Sequence, residues 1–227
     1  MIHKSISAWL ILLLVLCAMP GRAELIDVTG MFAEETRWLA DNVAKETRDE
    51  FLFRTSGGIS AYADSKTPEL GDVEVFNTFN VATNKRERVR AQLKKIGKHC
   101  YVYLQEGKNV AANVITRIAS EFDTKIYSNT RSMFGSEWSP GIDGDPRITL
   151  FLLDIQDGYN PRQGRRGFTA GYFYAGDCYN RKKKPESNER EMLYLDIYPS
   201  VPGSKEFMSV VAHEFQHMIH WNNDPKE

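Results

Sequence analysis

The sequence predicts an α+β domain in which a mixed β-sheet is followed by a long helix. Short runs rich in β-branched and aromatic residues, which are typical of strands, alternate with helical segments without a strict repeat. Residues 192–198 form the last of these runs, and an apolar helical segment at 207–221 follows. With 227 residues, of which 42% are hydrophobic, the chain is long enough for one domain with a sizeable core.

The first 23 residues have the composition of a secretory signal peptide. Lys4 supplies a positive charge, residues 8–16 are apolar, and small residues precede the expected cleavage after Ala23. The apolar run is shorter than the roughly 20 residues that span a bilayer, although an uncleaved N-terminal anchor is an alternative. We therefore expect a secreted protein, extracellular or periplasmic, without membrane contact beyond the export signal.

Charge and cysteine content limit the classes of partner. The chain has 29 basic and 30 acidic residues, so nothing in its charge favours a nucleic acid as a partner. The sequence does not indicate an oligomeric state. Cys100 and Cys178 remain after removal of the signal peptide, and in an exported protein they form either one disulfide or two separate buried thiols.

Residues 24–72 are predicted to form an N-terminal region of one helix and one loop. Residues 31–53 are rich in Ala, Glu, Arg and Leu and have apolar residues at helical spacing, whereas 55–72 are dense in Ser, Gly, Asp and Pro. The main domain is expected to follow at 73–227.

Strands and helices of the main domain are predicted as follows. Residues 73–81 alternate between apolar and polar side chains and predict a strand, and 100–104 are β-branched and aromatic. The segment 88–96 fits a helix or a strand, and its position before 100–104 favours a hairpin. Residues 109–134 predict an amphipathic helix, with Val110, Val114, Ile118, Phe122, Ile126 and Met133 on its apolar face.

The later elements contain the central strand. Residues 148–153 are continuously apolar, as expected of a strand that is covered on both faces. Short aromatic strands are predicted at 171–175 and 192–198; Tyr172, Phe173 and Tyr174 line a substrate channel or pack in the core. Ser204 is expected to cap the last helix.

The last helix contains the residues that indicate a metal site. His213 and His217 are four residues apart, so they lie on one helical face and can reach the same ion. The ion predicted from two imidazoles on a rigid helix is Zn²⁺. Glu214 lies beside the first histidine, where its carboxylate can accept a proton from water that the metal activates.

Other candidate ligands have weaker spacing. His220 lies seven residues beyond His213, a rise of about 10 Å, so we expect a helix-end or supporting role. His99 is expected to be structural. Four aspartates supply oxygen atoms of the kind that Ca²⁺ prefers, but their spacing matches no calcium loop and turn formation explains them equally well. They are Asp143, Asp145, Asp154 and Asp157.

Residues 213–221, His-Glu-Phe-Gln-His-Met-Ile-His-Trp, resemble the active-site helix of hyicolysin-like bacterial metallopeptidases in the gluzincin group. The resemblance extends more loosely upstream and covers roughly residues 73–221. It implies a zincin-like N-terminal subdomain at 73–227, with zinc as the cofactor and a polypeptide as the substrate. It also implies that an edge strand, at 171–175 or 192–198, pairs with the extended substrate.

The resemblance leaves the third metal ligand open. Gluzincins take this ligand from a glutamate on a later helix, whereas Glu227 lies only ten residues after His217 and matches no such motif. We therefore expect a secreted zinc endopeptidase domain that is incomplete at its C-terminus, with the third ligand beyond Glu227. The alternatives are an inactive fragment of the peptidase and a binding module that retains the zincin fold without catalysis.

Overall fold

The computed structural model describes residues 24–25, 28, 32 and 67–223. The signal peptide predicted at 1–23 and, apart from Phe32, the helix predicted at 31–53 lie outside these residues. The strands are β1 (Glu24–Leu25), β2 (Val73–Asn80), β3 (Lys85–Ile96), β4 (Cys100–Gln105), β5 (Ile148–Leu153), β6 (Gly167–Phe168), β7 (Gly171–Phe173) and β8 (Met192–Asp196). The α-helices are α1 (Ala112–Glu121), α2 (Tyr127–Phe134) and α3 (Lys205–Asn223).

Six strands form one mixed sheet in the order β2-β3-β4-β5-β8-β7, which confirms the predicted α+β class. The pairs β2–β3, β3–β4 and β7–β8 are antiparallel, whereas β5 is parallel to both β4 and β8. All six residues of β5 are buried, as predicted for a central strand. A separate short sheet pairs β1 in parallel with β6.

The position of β7 resolves which strand forms the edge. Of the two strands considered, β7 lies at the end of the sheet, and β8 is enclosed between β5 and β7. The prediction of 192–198 as the edge strand is therefore wrong. Strand β8 is interior because its five residues are buried and it pairs on both sides.

The ambiguous segment 88–96 belongs to β3, so the hairpin interpretation is confirmed. Ala91 and Leu93 are both buried. They alternate with more exposed positions, which is the period of a strand. A bulge between Leu93 and Lys95 shifts the register with β4.

The helix predicted at 109–134 is interrupted by a π-helical turn at Phe122–Ile126, between α1 and α2. Apolar residues spaced four apart drift around an α-helix, which has 3.6 residues in each turn. The wider π turn offsets this drift, so Ile118, Phe122 and Ile126 all remain buried. Met133 is 71% exposed, so its place on the predicted apolar face is wrong.

Each face of the sheet has its own core. On one face, apolar residues of β4, β5 and β8 pack against α1, α2 and α3, and Phe122 lies against Phe215 with ring centroids 5.4 Å apart. The other face is aromatic and includes Phe76, Tyr103 and Tyr194. Alternate side chains of one strand point to opposite faces, so both cores are built from the same strands.

Side chains connect the two ends of the sheet. The backbone N–H of Asn77 in β2 donates to Asn188 Oδ1 (2.8 Å), and Asn188 Nδ2 donates to the backbone carbonyl of Asn77 (2.8 Å). The backbone N–H of Phe79 donates to the hydroxyl of Tyr172 in β7 (3.2 Å). Because these bonds use backbone groups of β2, they protect an otherwise open strand edge.

Two further findings bear on the sequence predictions. Cys100 and Cys178 are both buried free thiols. Of the two alternatives, one disulfide or two separate buried thiols, the structure therefore has the separate thiols. No helix within the described residues is both long enough and apolar enough to span a membrane.

Candidate metal centre

Helix α3 begins as the sequence predicts. Ser204 Oγ accepts a hydrogen bond from the backbone N–H of Phe207 (3.1 Å), so Ser204 is the N-cap. The described part of the helix, Lys205–Asn223, reaches two residues beyond the predicted end. Val211 and Phe215 are fully buried against the sheet, so the helix is held firmly on β7 and β8.

The structure places His213 and His217 side by side on α3. Their Nε2 atoms are 3.0 Å apart, and their ring centroids are 4.4 Å apart. Two nitrogen ligands of a tetrahedral zinc ion, each about 2.0–2.1 Å from the metal, lie about 3.3 Å from each other. The two Nε2 atoms therefore have nearly the separation that a shared zinc ion requires.

Glu214 lies on the side of α3 that faces the sheet. The residue is only 6% exposed, although it directly follows the exposed His213. A β-carbon built on Gly171 of β7 would be 3.2 Å from Glu214 Cγ. The aliphatic part of Glu214 is therefore packed against the edge strand, beside the pair of histidines.

The other histidines occupy different positions. His220 is exposed near the end of α3. His99 is stacked on the ring of Tyr127, with centroids 3.9 Å apart and planes 10° apart. Burial lowers the pKa of His99, which favours the neutral ring in this stack. This packing supports the structural role expected of His99.

No group of three His, Cys, Asp or Glu residues that could hold a metal ion is found in residues 67–223 or at the described N-terminal positions. The histidine pair therefore fits zinc as two ligands of a larger set. The described residues do not supply the third.

The four aspartates considered for calcium do not converge. Asp143 and Asp145 precede β5, whereas Asp154 and Asp157 follow it, so a strand of six residues, about 20 Å long, separates the pairs. Asp145 binds Arg147 and Tyr101, and Asp154 binds Lys108. A single calcium site formed by all four residues is therefore wrong.

Several buried polar residues were not singled out by the sequence. Tyr194 Oη donates to Asp177 Oδ2 (2.6 Å), and the backbone N–H of Asn188 donates to Asp177 Oδ1 (2.8 Å). Burial raises the pKa of Asp177 to about 6, while these hydrogen bonds oppose the increase. These contacts join residues far apart in sequence, and no local pattern indicates them.

A second buried acidic group lies before β8. The Glu191 carboxylate accepts hydrogen bonds from the backbone N–H of Ile142 (3.2 and 3.3 Å). Burial, followed by the charge of Asp143, raises the pKa of Glu191 well above its usual value. A β-carbon on Gly141, which has φ +87°, would overlap the Glu191 carboxylate, so glycine is required there by both space and conformation.

Aromatic residues surround the C-terminal half of α3. Trp221 packs against Phe173 of β7 (ring centroids 6.2 Å apart) and against Tyr179 (5.9 Å). Of the three aromatic residues considered for a channel or the core, Tyr172 and Tyr174 are 2% and 1% exposed. They therefore pack in the aromatic core, whereas Phe173 contacts the helix.

No protein-family model matches the chain. A curated protein, Neutral metalloprotease ShpI of Staphylococcus hyicus, is 35% identical over 174 residues. The chain has a metalloprotease relative. The similarity covers 72% of this chain but 36% of that protein, so the chain spans about a third of the length of its curated relative.

Proposed function

We propose that this chain carries the zinc-binding helix and the substrate-binding strand of a secreted endopeptidase of the gluzincin type. The observation that carries the proposal is the 3.0 Å separation of the Nε2 atoms of His213 and His217, with Glu214 packed between α3 and the edge strand. The similarity to a neutral metalloprotease supports peptide hydrolysis as the reaction.

The proposed cofactor is zinc. His213 and His217 would hold the ion through Nε2, and the third ligand would come from a residue outside those that the structure describes. When bound, zinc acts as a Lewis acid that lowers the pKa of water to about 7 and polarises a carbonyl group.

Glu214 is the proposed general base. It lies one residue from His213 on α3, so under this proposal its carboxylate lies beside the metal position and is not a ligand of the ion. A carboxylate in this place accepts a proton from the attacking water and passes it to the leaving amine. Packing against β7 restricts the rotation of the side chain, which keeps the carboxylate in place.

The proposed substrate is an extended polypeptide that pairs with β7. Strand β7 is at the end of the sheet, and Gly171 and Phe173 are on its face toward α3. Addition of a peptide strand to an edge provides main-chain hydrogen bonds that do not depend on sequence. A substrate on this edge would lie beside Glu214 and the histidine pair.

Hydrolysis of casein by the full-length natural protein tests this proposal. General acid–base catalysis contributes about 10²- to 10⁴-fold, so Glu214→Gln is expected to lower turnover by that amount while bound zinc is retained. Glu206→Gln, in the first turn of the same helix, is the matched control and is expected to remain active. Wild-type turnover in Glu214→Gln would show that the proposed base is wrong.

A non-catalytic binding module is the second candidate. It is favoured by one observation, namely that the described residues contain only two of the ligands that a catalytic zinc site needs. Under this alternative, the wild-type protein binds an extended peptide but leaves it uncleaved after zinc is added. Cleavage that a chelator abolishes and zinc restores would exclude the alternative.

A further inference from the structure

Strand β7 lies close to α3 at Gly171. A β-carbon built there would lie 2.8 Å from Val210 Cγ1, 2.9 Å from the carbonyl oxygen of Tyr194 and 3.2 Å from Glu214 Cγ. The distances to Val210 and to the Tyr194 carbonyl are shorter than the closest contacts that a β-carbon makes in proteins. The distance to Glu214 is also tighter than an ordinary van der Waals contact. Even a methyl group at residue 171 therefore requires a neighbour to move.

Backbone conformation does not explain the glycine. Gly171 is absent from the glycines with positive φ, which include Gly135, Gly141 and Gly203. Glycine also weakens the interior of a strand, because it loses more entropy on folding and contributes no side chain to packing. The close contact between strand and helix is the remaining physical reason for glycine at this position.

We propose that Gly171 is a positioning residue for Glu214: its missing side chain lets β7 approach α3 closely enough to hold the Glu214 side chain in its catalytic orientation. This inference rests on the proposed role of Glu214 as the general base. Gly171 itself contacts no reacting atom and acts through the glutamate.

The neighbours of Gly171 leave few ways to accommodate a larger residue. Val210 and Glu214 are one helical turn apart on α3, so both line the same side of the contact. The helix is fixed by buried Val211 and Phe215, and Tyr194 belongs to the interior strand β8. An added methyl group is therefore expected to displace β7 and the Glu214 side chain, while the histidine pair on the exposed side of α3 keeps its place.

A second glycine provides a matched control for simple packing damage. A β-carbon on Gly97 would lie 2.6 Å from Asp123 Oδ2 and 2.8 Å from Cys100 Sγ, and Gly97 also lacks a positive φ. Its neighbours belong to β4 and the π-helical turn rather than to α3. Gly97→Ala is therefore expected to destabilise the protein without affecting Glu214.

The test compares kcat, KM, bound zinc and the unfolding midpoint in the full-length natural protein, with an internally quenched peptide as the substrate. Gly171→Ala is expected to lower kcat by about tenfold or more for each folded, zinc-loaded molecule, with KM within about twofold of wild type. Gly97→Ala is expected to lower the unfolding midpoint and to keep the wild-type kcat. Wild-type kcat in Gly171→Ala, or an equal loss in Gly97→Ala, would overturn the proposal.

If Gly171→Ala folds poorly, a second substitution at Val210 tests the same steric explanation. Val210→Ala removes the 2.8 Å contact and leaves the contact with the Tyr194 carbonyl, so the double variant Gly171→Ala/Val210→Ala is expected to recover part of the lost kcat. A double variant that folds and binds zinc but is no more active than Gly171→Ala would count against the steric explanation.

A double-mutant cycle separates this inference from the proposed function. If Gly171 acts through Glu214, Gly171→Ala has no further effect on the residual rate of Glu214→Gln. The same fold-loss in both backgrounds would refute the positioning role while leaving Glu214 as the base. Wild-type activity in Glu214→Gln would instead refute the proposed function itself, whatever Gly171→Ala does.

Discussion

The side-chain amide of Asn188 pairs with the backbone of Asn77 in the way that a neighbouring strand would. It accepts a hydrogen bond from the Asn77 N–H and donates one to the Asn77 carbonyl, each at 2.8 Å. Asn188 is 4% exposed and 111 residues from Asn77 along the chain, so this pair connects β2, at one end of the sheet, to the loop that precedes β8.

Asn188→Ala is expected to destabilise the fold by about 1–3 kcal/mol, because it removes the acceptor of the Asn77 N–H and one of two donors to the Asn77 carbonyl. The other donor to this carbonyl, the Tyr194 hydroxyl (3.1 Å), remains. Asn80→Ala is the control on the same strand. Asn80 bonds to Glu87 Oε1 in a more exposed setting, so its loss is expected to cost less than about 1 kcal/mol. Urea denaturation of both variants measures the difference, and equal losses would contradict the role of Asn188 as a buried partner of the β2 backbone.

Cys100 and Cys178 are expected to be unreactive in the folded protein. They are 0% and 1% exposed, and burial raises the pKa of both thiols well above its usual value, so the reactive thiolate is scarce. A thiol reagent added at pH 8 to the protein without residues 1–23 is predicted to label neither residue before unfolding and both afterwards. Two unlabelled cysteines in the unfolded, unreduced protein would indicate a disulfide and contradict the structure.

The sequence predicts the local elements of this fold well, because their periodicity follows directly from burial. Strands β2, β4, β5 and β8 were all expected, and the cap at Ser204 was identified from its residue type. The histidine pair was also predictable, since residues four apart on a helix are neighbours whatever surrounds them.

Contacts between distant segments could not be predicted in the same way. The close approach of Gly171 to Glu214 depends on the pairing of β7 with β8, and the bonds of Asn188 depend on the curl of the whole sheet. The π turn at Phe122–Ile126 results from packing that keeps Ile118, Phe122 and Ile126 on one face. A single sequence contains none of these tertiary distances.

Asp196 is expected to make stability depend on pH. Burial raises its pKa to about 7, although the backbone N–H groups of Ile155 and Ser200 donate to its carboxylate and oppose the increase. An unfolded Asp has a pKa of about 3.9, so the folded state binds the extra proton between about pH 4 and 7. The contribution of Asp196 to stability is therefore full at low pH and is lost as the pH rises toward 7.

Asp196→Asn removes this titration and retains one oxygen acceptor. The loss of unfolding free energy from pH 5 to pH 8 is therefore expected to be smaller in Asp196→Asn than in wild type. Asp177, whose pKa burial raises to about 6, is expected to preserve part of the slope in both proteins. Denaturant unfolding at both pH values measures the difference, and identical slopes in the two proteins would show that Asp196 is already ionised in the folded state at pH 5.

The central claim is that His213 and His217 together bind zinc. Its most direct test is the zinc content of the full-length natural protein after dialysis, compared among wild type, His217→Ala and His220→Ala. We predict about one zinc ion per chain in wild type and in His220→Ala, because His220 is exposed one turn beyond the pair. Loss of the ion in His217→Ala would support the claim, and an undiminished zinc content in His217→Ala would contradict it.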